Sequence, residues 1–265
     1  MGDDLILKLL NLNVGIKIDN NKEVIKLLNN DEYDIITLQE SMRKIDNSVF
    51  DKYNNSNIIK SQINLKNTFF GPLWVADHHE KNNKITKDFG GLAEQGNEIF
   101  TKYPIIKASN IFYYKEYSIF VDTTNFRQED HPRAFIDMII NVNGKELQII
   151  NVHGIWNKDK VGDKRTISQS EIILAHIRKD IPCIVVGDFN LLPNTESIDI
   201  LNKNMINLID KYGIKSTRPV FDDGLDKGNL VCDYIFVNDK IKVNDFQVLN
   251  NNASDHLPLL LDFEI

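Results

Sequence analysis

Apolar residues fall into two rhythms along this chain. "LILKLLNLNV" is an apolar run of strand length over residues 5–14, and "DIITL" predicts a second strand over 34–39. Between them Val24, Leu27 and Leu28 share one helical face, which predicts a helix over 21–30 with Asn20 and Glu23 in capping-box spacing. Further strands are predicted near 97–102, 109–114, 133–142, 146–153, 182–187, 231–238 and 257–263. A helix over about 168–179 has two acceptable starts, Thr166-x-x-Gln169 and Ser168-x-x-Glu171, and a shorter one over about 195–203 has Asn194 or Thr195 as its cap. Asn143-Gly144 reads as a hairpin turn. Helices stand between some strands while hairpins fill the middle, a mixture that favours an α/β protein of layered sheets flanked by helices over a regular βαβ succession.

No low-complexity linker, repeat or charge block interrupts the chain, so a single domain over residues 1–265 is expected. Composition, 42% hydrophobic and 26% charged, is ordinary for a globular protein with a sizeable core. A net charge of −7 argues against coating long nucleic acid through many phosphate contacts, but leaves small or terminal phosphates open as substrates. The N-terminus is acidic where a signal peptide is basic, and its apolar run is interrupted by Lys8 and Asn11. No membrane span is expected, and the chain reads as a cytoplasmic monomer. Cys183 and Cys232 lie in apolar surroundings outside any zinc spacing and read as buried, reduced thiols.

Polar residues interrupt the apolar strands at particular places. In "IVVGDFNLLP" Asp188 and Asn190 stand at i and i+2, on one side of a strand that has just run out. A carboxylate and an amide converging there can orient a water and donate to an oxyanion, although Gly-Asp-x-Asn before a proline is also ordinary turn chemistry. "DIITLQES" ends with Glu40, "LQIINVHGIW" with His153, "VCDYIFV" buries Asp233, and "NASDHLPLLLDF" places Asp255 and His256 ahead of the last strand. One such residue alone is more often surface or satisfied core. Recurrence at several strand ends points to one shared site.

The ordered set "LNLNVG", "LQES", "GNEIFTKYPI", "NVHGIW", "GDFNLLP", "CDYIFV" and "SDHLPLLL" resembles the endonuclease/exonuclease/phosphatase superfamily, from about residue 5 to 263. That group includes deoxyribonuclease I, AP endonucleases, sphingomyelinases, tyrosyl-DNA phosphodiesterases and inositol polyphosphate phosphatases. The resemblance implies a four-layer α/β sandwich: two mixed β-sheets packed face to face, helices on the outer faces, and a phosphoesterase site at one end. It implies Mg²⁺, with Mn²⁺ as a substitute, held by Glu40, with Asp255 as a second metal or water ligand. Asn13 matches the first-strand asparagine that helps arrange metal and phosphate, with Asn11 as the alternative register. His153 matches the histidine that touches the scissile phosphate in deoxyribonuclease- and sphingomyelinase-like members and is absent from AP endonucleases. Asp188 is implied to orient or deprotonate the attacking water, and Asn190 to donate to a phosphate oxygen. His256 is the other acid–base candidate, with Asp233 fixing its tautomer. Which of Asp188 and His256 takes the proton is left open. Asp255 and His256 can both serve only where the backbone is irregular, ahead of Pro258.

Arg133, opening "RAFIDMII", is a substrate-binding candidate as a phosphate clamp or a partner of Glu40, against a plain surface pair. Trp156, with "NKDKVGDKR" after it, is a candidate to cover the site against a base or apolar leaving group, with simple packing as the other reading. His78 and His79 read as a solvated loop, and the long "NTFFGPLWVADHHEKNNKITKDFGGLAEQ" stretch as a specificity loop. The implied activity is hydrolysis of a phosphodiester by in-line attack of water. Alternatives are a phosphomonoesterase acting on a small or lipid-derived phosphate, a hydrolase processing DNA ends, and a binding protein that kept the fold and lost catalysis. The last is expected to lack Glu40, Asp188, Asn190 or His256, and all four are present.

Overall fold

The computed structural model describes residues 5–15, 21–29, 33–81, 84–121, 128–219, 230–251 and 253–265. In chain order the elements are β1 (Leu7–Asn13), α1 (Asn21–Asn29), β2 (Ile35–Lys44), α2 (Asn55–Gln62), β3 (Asn67–Lys81), β4 (Lys84–Thr101), β5 (Ile105–Tyr114) and β6 (Ser118–Phe120). There follow β7 (Arg133–Val142), β8 (Lys145–His153), α3 (Lys164–His176), β9 (Cys183–Asp188), α4 (Glu196–Asn202), β10 (Ile206–Asn207), α5 (Leu208–Lys211), β11 (Asp233–Val237), β12 (Lys242–Val248) and β13 (Leu259–Glu264).

The strands form two mixed sheets. The seven-stranded sheet has the order β12-β13-β1-β2-β4-β3-β6 and the six-stranded sheet β10-β11-β9-β8-β7-β5. Alternation divides each strand between two environments. Leu7 and Leu9 of β1 and Ile35 of β2 join Ile149 of β8, Val186 of β9 and Ile235 of β11 in one core between the sheets. Leu10, Leu12, Ile36 and Leu38, from the same two strands, face outwards onto Val24, Leu27 and Leu28 of α1 and Ile59 of α2. Burial on both faces is what makes β1, the first half of β2 and β9 largely apolar rather than alternating. The arrangement is the sandwich of two sheets with outer helices that the sequence implied, and among the described residues no helix is long and apolar enough to cross a membrane.

A polar bridge ties the sheets together near one end. The Gln39 amide donates to Asn11 Oδ1 (2.9 Å) and Asn151 Oδ1 (2.6 Å), while Asn151 Nδ2 donates across the interface to the carbonyls of Leu38 and Glu98 (both 3.0 Å). Asn11 therefore belongs to this bridge, which makes Asn13 the asparagine at the strand end.

Several local expectations change. The stretch read as a specificity loop is the long antiparallel pair β3 and β4, so the strand expected near 97–102 is only its final part. His78 and His79 accordingly lie on a strand, with His79 packed against Trp74 and Phe89. Helix α3 starts at Lys164: Asp163 caps it, accepting from the Arg165 and Thr166 amides, so neither Thr166 nor Ser168 is the cap. Helix α2 and strand β12 had no counterpart in the sequence pattern. The Asn20 cap lies outside the described residues. Thr195 caps α4, Asn143 and Gly144 turn the β7–β8 hairpin with φ of 52° and 95°, and both cysteines are free and buried.

Candidate active site

Strand direction brings the polar strand ends to one edge of the sandwich. Strands β1 and β2 run parallel, β1 finishing at Asn13 beside Glu40, after which β2 continues to Lys44, and β8 and β9 run parallel and finish with His153 opposite Asp188. Strand β11 is antiparallel to β9 and starts there, so Asp233 also faces Asp188 in register. Three adjacent strands thus line up His153, Asp188 and Asp233 as one row. Asp255 and His256 lie in an irregular bend before β13 begins at Leu259, the backbone condition under which both can turn to one site.

Glu40 needs a special device, because strict alternation after Ile35, Thr37 and Gln39 points it outwards. The β2–β4 register slips between Leu38 and Ser41, so two residues of β2 oppose Asn97 alone, and Glu40 adopts φ 58°. A bulge of this kind re-aims a side chain, here onto the site, at the cost of left-handed backbone in a residue that has a Cβ. Asn190 likewise has φ 56°, and its N–H donates to Asp188 Oδ1 (2.8 Å): "GDFN" is a turn, with Asp188 at its head. Two glycines let the β8 and β9 ends meet. A Cβ on Gly187 would lie 2.0 Å from the Val152 carbonyl oxygen, and one on Gly154 2.1 Å from that of Phe189.

The side chains interlock. Asn13 Nδ2 donates to Asp188 Oδ2 (3.0 Å) and Glu40 Oε1 (3.4 Å), and Asn13 Oδ1 accepts from the Gly15 N–H (2.9 Å), so this amide spaces two carboxylates. His153 Nε2 lies 3.7 Å from Glu40 Oε1, and the Tyr113 hydroxyl donates to the His153 carbonyl. His256 Nδ1 meets both oxygens of Asp233 at 2.9 Å, and its Nε2 lies 3.8 Å from Asp188 Oδ2. Thr217 Oγ1 donates to Asp233 Oδ2 (2.7 Å) and holds that carboxylate from behind.

The two site histidines are driven in opposite directions. Burial, then the Arg133 charge, pushes His153 well below the ordinary histidine range. Burial also opposes charge on His256, but Asp233 and Asp188 outweigh it and raise its pKa well above that range. Arg218, which no pattern in the sequence singled out, reaches the same corner: Nη2 donates to Asp255 Oδ2 (2.8 Å), and Nη1 meets His256 Nε2. Lys160 was also missed as an individual residue, although it lies in the loop read as covering the site; its Nζ donates to Asn190 Oδ1 (2.9 Å).

Arg133 is not a surface arginine. It is 2% exposed, and its Nε and Nη1 have no hydrogen-bond partner among the described residues. It lines a cleft of about 170 Å³ together with Gly15, Glu40, His153 and Asp255. Trp156 is half-buried and is not part of that lining. A larger groove, about 500 Å³, lies by Val237 and Asn238, at the end of β11 remote from Asp233.

The residues present suit a divalent cation. Burial, then the negative charge of Asp255, raises the Glu40 carboxyl above its usual range, a repulsion that a cation relieves. Two carboxylates suit a hard ion that keeps most of its waters. Cys232, Asp233 and His256 are also close enough together to hold a metal. Asp233 and His256 are engaged with each other, however, and burial raises the Cys232 thiol to about 11, which leaves a protonated sulfur that a hard ion does not choose.

Solved structures similar to this one share its architecture at low identity. An endonuclease/exonuclease/phosphatase from Beutenbergia cavernae matches with TM-score 0.73 at 14% identity, over 98% of this chain and 72% of that one. A mannosyl-6-phosphatase from Bacteroides thetaiotaomicron matches with TM-score 0.67 at 16% identity, over 98% and 100%. A humanized TDP2 from D. rerio matches with TM-score 0.64 at 14% identity, over 98% and 99%. None of the curated proteins matches the sequence. The model of the Endonuclease/Exonuclease/phosphatase family matches residues 10–256. Sequence and architecture agree, and the chain belongs to the endonuclease/exonuclease/phosphatase family.

Proposed function

We propose that this chain is a Mg²⁺-dependent phosphodiesterase that hydrolyses its substrate by in-line attack of water. The observation that carries the reading is the convergence of Asn13, Glu40, His153, Asp188, Asp233, Asp255 and His256 from two sheets onto one edge. Glu40 and Asp255 would hold the metal, which when bound would supply positive charge against the phosphoryl oxygens. Asn13 keeps Asp188 and Glu40 apart and oriented. Asp188, fixed by the Asn13 amide and the Asn190 N–H, is placed to orient the attacking water and draw its proton. His256, braced by Asp233, faces Asp188 as the neighbouring acid–base group. His153, held neutral, offers a hydrogen bond to a phosphoryl oxygen without adding charge, and Asn190 and Arg133 add further donors.

One observation favours a phosphomonoester as the second reading: the whole cleft lined by Glu40, Arg133 and Asp255 measures only about 170 Å³, room for one compact substrate. The fold does not choose between them, since a TDP2 and a mannosyl-6-phosphatase share it. The test is hydrolysis of bis-nitrophenyl and mononitrophenyl phosphate with Mg²⁺, repeated in excess chelator and with Glu40→Gln. Chelation is expected to abolish turnover, and Glu40→Gln to raise the Mg²⁺ concentration needed by roughly 10-fold or more. Full activity in chelator refutes the metal assignment.

A further inference from the structure

The cleft has a second half that the chemistry above does not use. Past Arg133 it continues between the β3–β4 pair and the start of β7, walled by His79, Lys87, Gln95, Gln128 and His131. Gln95 is 1% exposed, and neither atom of its carboxamide has a hydrogen-bond partner among the described residues, as with Nε and Nη1 of Arg133. Buried polar atoms left without partners are costly, so a wall that carries several of them is built for a polar ligand.

The groups also say which ligand. Carboxamides and neutral imidazoles each offer a donor and an acceptor, the combination that a hydroxyl needs. Burial lowers His79 to about 3 and His131 well below its ordinary value, so both are such imidazoles. Arg133 supplies a cation suited to phosphate oxygens, and Lys87, beside His79 on the neighbouring strand, supplies N–H donors to hydroxyls. Among the described residues that line the cleft there is no tryptophan, tyrosine or phenylalanine on which a base could stack, and Trp74 is fully buried behind His79 and His131. At about 170 Å³ the whole cleft, both halves together, is below a drug-sized pocket.

We propose that this half of the cleft binds the hydroxyls of a compact polyol, so that the substrate is a phosphate ester of a sugar or cyclitol. The proposal rests on the phosphoesterase reading. Hydrolysis then breaks the bond from phosphorus to the polyol oxygen, water supplies the oxygen that stays on phosphorus, and the proton it loses ends on the departing alkoxide.

The test measures binding apart from turnover. Calorimetric titrations of the full chain in chelator compare glucose 6-phosphate and myo-inositol 1-phosphate with methyl phosphate, which has the same phosphoryl group and no hydroxyls, and with thymidine 5′-monophosphate. A polyol phosphate is expected to bind at least ~10-fold more tightly than methyl phosphate, and both Gln95→Leu and Lys87→Met to bring that preference below ~3-fold. Thermal melts check folding; Lys87 is partly exposed, so its variant carries the result if Gln95→Leu fails to fold. Polyol binding no tighter than that of methyl phosphate, a preference unchanged in the folded variants, or a preference for the nucleotide overturns the proposal, whatever the nitrophenyl assays give. A preference lost in the variants, with no ester hydrolysed under Mg²⁺, supports the subsite and refutes the catalytic reading instead.

Discussion

Replacing Glu98 with glutamine should shift stability in favour of the variant as pH rises. Glu98 lies on the outer side of β4 beneath α2, 2% exposed; Ser56 Oγ donates to its Oε1 at 3.0 Å, and Oε2 has no partner among the described residues. Burial raises its pKa from the ordinary 4.5 to about 7, and the Ser56 hydrogen bond, the first of the opposing causes, offsets only part of that. The native state thus prefers the protonated acid. Its contribution is fully present below 4.5, where the unfolded chain is protonated too, and is lost as pH rises through about 7. At ~1.4 kcal/mol per pH unit, that interval corresponds to about 3 kcal/mol. Glutamine keeps the acceptor for Ser56 but sets an amide NH₂ where Oε2 stood, at a pH-independent cost of ~1–3 kcal/mol. The difference between the two proteins isolates the titration: Glu98→Gln minus wild type should grow by about 3 kcal/mol between about pH 4.5 and about pH 8. Urea unfolding followed by tryptophan fluorescence at four pH values measures it. Parallel curves for the two proteins would refute the reasoning.

Within the site, Asp233→Asn and His256→Ala should each lower turnover by roughly 10²-fold or more, and the double variant should lose little beyond the worse single one; multiplying losses would make Asp233 merely structural. Asp188→Asn should hold its melting temperature within a few degrees yet cut turnover roughly 10²–10⁴-fold, checked by thermal melts beside initial rates on one preparation. Asn190→Gly suits the φ of 56°, so its stability should stay within ~1 kcal/mol while phosphoester hydrolysis falls by roughly 10²-fold; unchanged hydrolysis would leave Asn190 a turn residue only. Gly187→Ala meets the Val152 carbonyl and should lose stability by ~3 kcal/mol or more in urea unfolding.

Much of this was legible because strands buried on both faces cannot hide polar residues. In β9 every side chain of "CIVVGD" is buried, so Asp188 at its end stands out without any three-dimensional information. The same holds for His153 closing β8 and Asp233 opening β11. The β3–β4 pair hid for the opposite reason. It carries Gly71, Pro72, Gly90 and Gly91 within its strands, its register slips repeatedly, and the first part of β4 is exposed, so its residues read as loop. Arg218 was beyond a local reading, and for Arg133 the local reading left a phosphate clamp, a partner of Glu40 and a plain surface pair all open. An arginine at a strand start and another before a proline look like surface residues, and only the packing of distant segments reveals the carboxylates beside them.

The "GDFN" turn itself fixes how the Asp188 carboxylate is presented. The turn bond from the Asn190 N–H uses Asp188 Oδ1, which leaves Oδ2 towards Asn13 and His256. The carboxylate is thereby oriented by its own backbone on one side and by a first-strand amide on the other. Left-handed backbone at Asn190 swings its side chain to the Gly154 carbonyl and to Lys160. Glu40 reaches the site through left-handed backbone as well, at a bulge in the facing sheet. Both sheets therefore break regular structure at the edge where their polar strand ends meet. Regular alternation would have sent Glu40 out towards the helices, and strain at these two positions is what the fold gives up to place a carboxylate and an amide across one cleft.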